Sequence, residues 1–239
     1  MDDWVRFPPE SWPRDSLLAL APAATARQLL GLGSRRVYRN GEALLTEGAR
    51  DRRVLLVLDG CVKLHATTRS GRLTLLAIRV GGDLLGEQSV LDEEPRSATA
   101  VSVGRTLVRE VAGTDFLRVL RSDPEAGIAL SRYLSVKLRR ATRYRVDVGG
   151  NPVVARLAAV LCELAEGHGR PEAAGIRVEA LVTQPELAAI VSTTVPTLER
   201  AMKRLRELGL ISTGYRSLII RDLPALSAVA EDPEGALGR

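Results

Sequence analysis

Two short strings carry the side chains best suited to chemistry, Leu85-Gly86-Glu87-Gln88-Ser89-Val90 and Pro95-Arg96-Ser97-Ala98-Thr99-Ala100, with Glu87 and Arg96 nine positions apart. Between them they bring a carboxylate, a guanidinium, hydroxyls and backbone N–H groups to one loop. That set suits a sugar phosphate. Glu87 accepts from a ribose hydroxyl, Arg96 offers a planar fork of donors to a phosphate, and Ser97 adds another donor, with Gln88 and Ser89 beside them. Gly86 has no Cβ and lets the backbone come close to a ligand. The plain alternative is a loop salt bridge between Glu87 and Arg96.

Other chemistries have less to build on. Cys61 and Cys162 are the only cysteines and His65 and His168 the only histidines of the 239 residues. Two cysteines are too few for a Cys-ligated iron–sulfur cluster, and no short spacing suits zinc. No nucleophile, base or metal set emerges, so neither an enzyme nor a metal site is expected. His65 follows Cys61 by four positions, which leaves a haem or redox sensor as an alternative. No apolar run reaches the roughly 18 residues that span a bilayer. The N-terminus, with Asp2, Asp3, Arg6 and Pro8-Pro9, is no signal peptide. The expected location is the cytoplasm.

The net charge of +5 is concentrated in one segment. Residues 128–148 hold Arg132, Lys137, Arg139, Arg140, Arg143 and Arg145 against Asp147 alone, whereas residues 150–239 are close to neutral. Bulk charge therefore does not mark a DNA reader, and local pattern must.

Around the two strings the chain divides into five stretches. Residues 1–15, with three prolines, read as an arm. Over residues 16–122, short helical pieces give way to short apolar strands with turns at Asn40-Gly41, Gly48, Asp59-Gly60, Ser70-Gly71 and Gly81-Gly82, the pattern of an antiparallel barrel or jelly roll. Strands at Ala100–Val103 and Leu107–Val111 close it, and Thr114 and Asp115 open a helix. Residues 123–148 form a long helix in which Leu134, Leu138, Ala141 and Val148 make a seam interrupted by Arg145. Packing of that helix on its own barrel is the alternative to pairing with a second copy.

Gly149-Gly150-Asn151-Pro152 then reads as a hinge, with an amphipathic helix from Val153 to Glu166, a loop from Gly167 to Gly175 and a strand from Ile176 to Val182. Thr183-Gln184-Pro185-Glu186 has the form of a capping box. A tight turn at Val191-Ser192-Thr193 leads to a second helix, Val195–Leu208, capped by Thr194, with Leu198, Met202, Leu205 and Leu208 inward. A hairpin turning at Gly214 follows, and residues 223–239 read as a short helix with a frayed end. Two helices joined so tightly make a helix-turn-helix with a wing; a plain helical hairpin is the alternative.

The two opening strings resemble, position for position, the phosphate-binding cassette of cyclic-nucleotide-binding domains. From residue 16 to 222 the order of elements resembles the catabolite activator and fumarate-nitrate regulator family. The resemblance implies an α+β chain: an N-terminal cyclic-nucleotide-binding β-barrel (jelly roll), a dimerisation helix at 123–148 and a winged helix-turn-helix at 149–222. It implies a homodimeric transcription regulator with cAMP, or alternatively cGMP, as allosteric effector, held by Gly86, Glu87, Gln88, Ser89, Arg96 and Ser97. The dimer helix adds two adjacent hydroxyls toward the base in that family; Ala141 and Thr142 stand there, so only Thr142 can serve. Asp51 stands where the family has a small residue and is expected to touch a turn and not the pocket.

On DNA, the second helix would enter the major groove. Thr183, Thr193, Thr194, Val195, Thr197, Arg200, Lys203, Arg204 and Arg216 are the expected contacts: Arg200 to a guanine, Val195 or a Thr methyl to thymine, and Lys203, Arg204 and Arg216 to phosphates. The partners implied are a two-fold symmetric double-stranded operator, a second copy of the chain and, compatibly, RNA polymerase, with no membrane. The best-known member of the family reads its operator with Arg and Glu where Val195 and Pro196 stand, and with Arg at the place of Arg200. A pocket that is vestigial, or that serves another small molecule, is the rival within the same fold.

Overall fold

The computed structural model describes residues 12–68, 71, 73–179, 182–214 and 217–237, with the backbone alone for residues 145, 147, 148, 167, 168, 179 and 237. Most of the expected arm, Ser70, the wing residue Arg216, and the His168 and Val148 side chains thus lie outside the described set. The chain forms two compact units, residues 1–139 and 140–239.

The first unit opens with α1 (Leu17–Leu20) and α2 (Ala23–Gly31), continues through β1 (Ser34–Tyr38), β2 (Ala43–Leu45), β3 (Arg53–Thr67), β4 (Leu73–Val80), β5 (Leu84–Leu85), α3 (Glu87–Leu91) and β6 (Thr99–Ala112), and ends in α4 (Gly113–Ser122) and most of α5 (Pro124–Gly150). The strands run antiparallel in the order β1-β6-β3-β4, with β2 added to β6 and β5 to β3. This path is open, so the expected closed barrel is corrected to a jelly-roll-like sheet with β1 and β4 at its edges.

Asp59-Gly60, expected to reverse the chain, sits inside one long strand, and Gly104 sits inside another. Gly60 has φ +94°, and a Cβ there would meet the carbonyl of Arg105 and the Cα of Thr106. The ladder between β3 and β6 shifts register around it, between Val57 and Asp59 and again between Asp59 and Cys61. Both glycines bulge the strands instead of turning them.

β3 is covered on both faces, which explains its nearly continuous apolar run. Val54 and Leu56 pack with Leu17, Leu29, Phe116, Leu130 and Tyr133 of the helical layer. Leu55 and Val57 face the other way, onto Tyr38, Leu44, Leu85 and Val108. Pairing of Leu55 with Leu85 and of Leu56 with Leu84 brings Gly86 beside Arg53. α4 starts at Gly113 behind Ala112, not at Thr114, because the Gly113 N–H is held by the Arg52 carbonyl at 2.6 Å.

α5 runs through Gly149 and Gly150. The expected hinge pair is therefore helical, and the break falls at Asn151, where the following Pro152 disfavours helical backbone.

In the second unit α5 gives way to α6 (Val153–His168), β7 (Arg170–Glu172), β8 (Gly175–Glu179), α7 (Gln184–Ile190), α8 (Val195–Glu207), β9 (Ile211–Gly214), β10 (Ser217–Ile220), α9 (Leu223–Glu231) and α10 (Pro233–Leu237). Its sheet has the order β7-β8-β10-β9. β7 was expected as loop: Arg-Pro-Glu is wholly exposed and carries no apolar alternation, yet it pairs with β8. α8 buries Leu198, Ala201 and Leu205, while Met202 and Leu208, expected inward, are half-buried. Positions 198, 201 and 205 share one helical face. Among the described residues no helix is long and apolar enough to cross a membrane.

Candidate functional site

The two strings meet. Gly86, Glu87, Gln88, Ser89, Arg96 and Ser97 line one pocket of the first unit, with Arg79 at its side. Leu45, Leu64, Leu84, Leu85 and Ala98 supply its apolar wall. Gly86 is required twice over: its φ is +81°, and a Cβ would strike Nη1 of Arg96. Ser97 Oγ donates to the Gln88 side-chain carbonyl at 3.1 Å, which ties the two strings together.

Arg96 is the hub, and it is only 4% exposed. Nη1 donates to the Gly86 carbonyl at 2.7 Å and to Ser89 Oγ at 2.6 Å. Nη2 donates to Asp51 Oδ1 at 2.7 Å and to the Arg53 carbonyl at 2.6 Å. Nε faces Asp51 Oδ2 at 3.4 Å. A guanidinium has five N–H donors, and each has a protein acceptor here.

The acid paired with Arg96 is Asp51, not the Glu87 of the salt-bridge alternative. Asp51 also touches the pocket's central arginine and not merely a turn, and Arg53 stands 3.4 Å from the same carboxylate oxygen. Partial burial raises the Asp51 carboxyl, but the hydrogen bond and charge of Arg96, helped by Arg53, outweigh it and hold the group below its ordinary value. A carboxyl lowered in the folded state adds stability above its unfolded pKa and loses it as pH falls through the folded one. Asp51→Asn is therefore expected to be less stable than wild type at pH 7, with the gap closing below about pH 4. Denaturant melts of both proteins over that range measure it.

Glu87 lies at the start of α3 with its carboxyl pushed up by burial, an effect eased by its own backbone N–H and by the charge of Arg79. Behind it, α5 is fastened to β5, the strand that leads into the pocket. The Tyr133 hydroxyl donates to the Leu84 carbonyl at 3.0 Å and accepts from the Leu84 N–H at 3.3 Å. Lys137 Nζ donates to Asp83 Oδ1 at 3.0 Å and sits 4.8 Å over the Tyr133 ring, while Asp83 Oδ2 accepts from the Val80 N–H at 3.0 Å. Burial lowers the Lys137 ammonium, and Asp83 pulls it back up.

Arg79 and Asp51 were missed by sequence reasoning. Arg79 had a signal, a cation inside the apolar run Leu73–Val80. Asp51 stood out only as a charge in place of a small residue, and its contact was unreadable because its partner is 45 residues away. Thr142 is exposed on the part of α5 that belongs to the second unit. Cys61 is buried in β3 with its thiol pushed up to about 12 by desolvation, the state of a space-filling residue. Among the described residues no group of three or more His, Cys, Asp and Glu side chains could hold a metal.

In the second unit, Thr183 caps α7 in a complete capping box with Glu186. Thr194 occupies the N-cap position of α8 but makes no capping bond; its hydroxyl donates to Thr197 Oγ1 at 3.1 Å, and Arg200 Nη2 donates to the same oxygen at 3.0 Å. Thr194, Arg200, Lys203 and Arg204 are exposed, with Thr193, Val195 and Thr197 half-buried beside them. The turn before α8 is held from two sides. Arg156 of α6 donates through Nε to the Val191 carbonyl at 2.9 Å and through Nη2 to that of Ser192 at 3.3 Å. Tyr144 Oη lies 2.6 Å from Ser192 Oγ, so the last turns of α5 reach the turn directly. Ser192 is itself left-handed, with φ 51°.

Comparisons agree with this division. Residues 35–123 match the model of the cyclic nucleotide-binding domain, and residues 155–229 that of the Crp-like helix-turn-helix domain. The CRP-like cAMP-activated global transcriptional regulator of Mycobacterium tuberculosis is 32% identical over 192 residues, 80% of this chain and 85% of its own length. Transcriptional regulator SdrP of Thermus thermophilus is 32% identical over 81% of this chain and 93% of its own. A solved CRP/FNR-family transcriptional regulator from Thermus thermophilus superposes with a TM-score of 0.70 at 25% identity, covering 83% of this chain and 99% of that one.

Proposed function

Because the chain belongs to the CRP/FNR family of transcription regulators, with a cyclic nucleotide-binding domain and a Crp-like helix-turn-helix, we propose that it works in the cytoplasm as a homodimer controlled by a cyclic nucleotide, cAMP before cGMP. The observation that carries this is the convergence of residues 86–89 and 96–98 on one pocket. In this reading Glu87 accepts from the ribose hydroxyl, Arg96 and Ser97 donate to the cyclic phosphate, and Thr142 meets the base edge. The relative from Mycobacterium tuberculosis, named as cAMP-activated, supports it.

The effector acts by population shift, so it must bind the DNA-competent state more tightly than the other. Tyr144 and Arg156, which grip the turn before α8, are where a rearranged α5 would reach the reading helix. Calorimetric titration with cAMP and cGMP, repeated on Glu87→Gln, tests the reading. Micromolar binding weakened by the substitution supports it; no heat with either nucleotide from folded, ligand-free protein removes it. A second reading, a regulator with another small-molecule effector, is favoured by the saturation of Arg96. Haem in place of a nucleotide would show as absorbance in the visible region.

For DNA, we read α8 as the groove helix with Arg200 on a guanine and Lys203, Arg204 and Arg216 on phosphates; Arg216 lies outside the described residues. Arg200→Ala is expected to cost about 1–3 kcal/mol and relax one base position, whereas Lys203→Ala weakens binding uniformly and lowers the salt slope by about 1. Selection from random DNA should return a half-site different from that of the best-known member, because Val195 and Pro196 replace its Arg and Glu. Recovery of that member's half-site would contradict this.

A further inference from the structure

The place where a cyclic phosphate would meet Arg96 already holds an anion. A cyclic phosphodiester is a monoanion presenting two unesterified oxygens, and the Asp51 carboxylate offers the same two-oxygen edge to Nη2 and Nε of Arg96 at 2.7 and 3.4 Å. The other N–H groups of Arg96 are spent on Gly86 and Ser89, which line the pocket, and on the carbonyl of Arg53 behind it. Arg53 adds a second positive charge at 3.4 Å, so the carboxylate sits between two guanidinium groups. Asp51 is reached by solvent, with 38% of its side chain exposed, whereas Arg96 is not. The acid is thus the movable member of the pair and the arginine the fixed one.

We propose that Asp51 is a built-in competitor for the phosphate seat, and that it sets the affinity of this pocket by having to leave Arg96 before a cyclic nucleotide can bind. The proposal rests on the cyclic-nucleotide reading of the pocket and adds the residue that tunes it. With the carboxylate gone, Arg96 and Arg53 present uncompensated charge to the incoming phosphate. With it in place, the ligand replaces one anion by another of equal charge, and most of the Coulombic gain is cancelled. Because the contacts of Asp51 run to Arg96 and Arg53, the two cations proposed to meet the phosphate, its removal is expected to strengthen cAMP and cGMP binding by the same factor. A residue that merely supported the fold would not do that.

The test is calorimetric titration of full-length wild type, Asp51→Ala and Asp51→Asn with cAMP and with cGMP, each variant first checked by thermal melt. Asp51→Ala is expected to bind both nucleotides at least about tenfold more tightly than wild type, with their ratio unchanged. Asp51→Asn, which keeps an acceptor but no charge, should fall between. Should the alanine variant not fold, the asparagine variant alone decides by the same comparison. Binding to wild type with unchanged affinity in the variants overturns the proposal and leaves the nucleotide reading standing. Binding that appears only in the variants supports the role of Asp51 while removing a cyclic nucleotide as the effector of the natural protein. No binding by any of the three overturns both.

Discussion

Arg96→Ala is expected to destabilise the first unit by about 3–5 kcal/mol, the range for breaking a buried charged network by removing one partner. The substitution strips the carbonyls of Gly86 and Arg53 and the hydroxyl of Ser89 of a shared, buried donor. Each buried acceptor left unpaired costs about 1–3 kcal/mol. Asp51, being partly exposed, recovers water and contributes little to the loss. An arginine serving only a ligand would be removed with no such effect, because its donors would point into the pocket. Denaturant unfolding without any nucleotide separates the two cases: a midpoint close to wild type would contradict the hub described here. Loss of ligand binding in this variant therefore says little about phosphate contacts, and Glu87→Gln is the cleaner probe of the pocket.

Leu138→Asp is expected to convert the protein to monomers. Leu138 is 68% exposed on α5, on the same face as half-buried Leu134 and exposed Ala141, an apolar placement that suits a second copy of the same helix. An exposed position has no packing to lose in the monomer, so the fold should stay intact. Separating two linked half-site readers removes their avidity, and affinity for a full operator should fall by about 10²–10⁴ while half-site binding is kept. Sedimentation velocity and anisotropy titration on whole and half operators measure both. A variant that stays dimeric would show that another face of the chain holds the copies together.

Much of the candidate site could be read in the sequence because it is local. Gly86, Glu87, Arg96 and Ser97 lie within a dozen positions, and their chemistry is stated by residue type. The capping box of Thr183 and Glu186 was legible for the same reason, being complete within four residues. What could not be read involves partners far apart in sequence. Asp51 and Arg96 meet because backbone bonds join Arg96 to Gly48 and Ala49, and because the pairing of β3 with β5 brings Gly86 to Arg53. Gly60 and Gly104 look like turn residues, and only the pairing of β3 with β6 makes them bulges. The edge strand β7 has no apolar pattern of its own and exists by pairing with β8. Met202 and Leu208 looked inward by composition, but the groove that α8 packs into selects the face of Leu198, Ala201 and Leu205.

The measurement that tests the central claim most directly is the affinity of the full-length protein for its selected operator with and without saturating cAMP. Coupling between two sites is typically 1–3 kcal/mol and reciprocal, so operator affinity should rise by at least about fivefold, and operator DNA should tighten cAMP binding by the same factor. The same operator affinity at zero and saturating cAMP, and again with cGMP, would contradict the account.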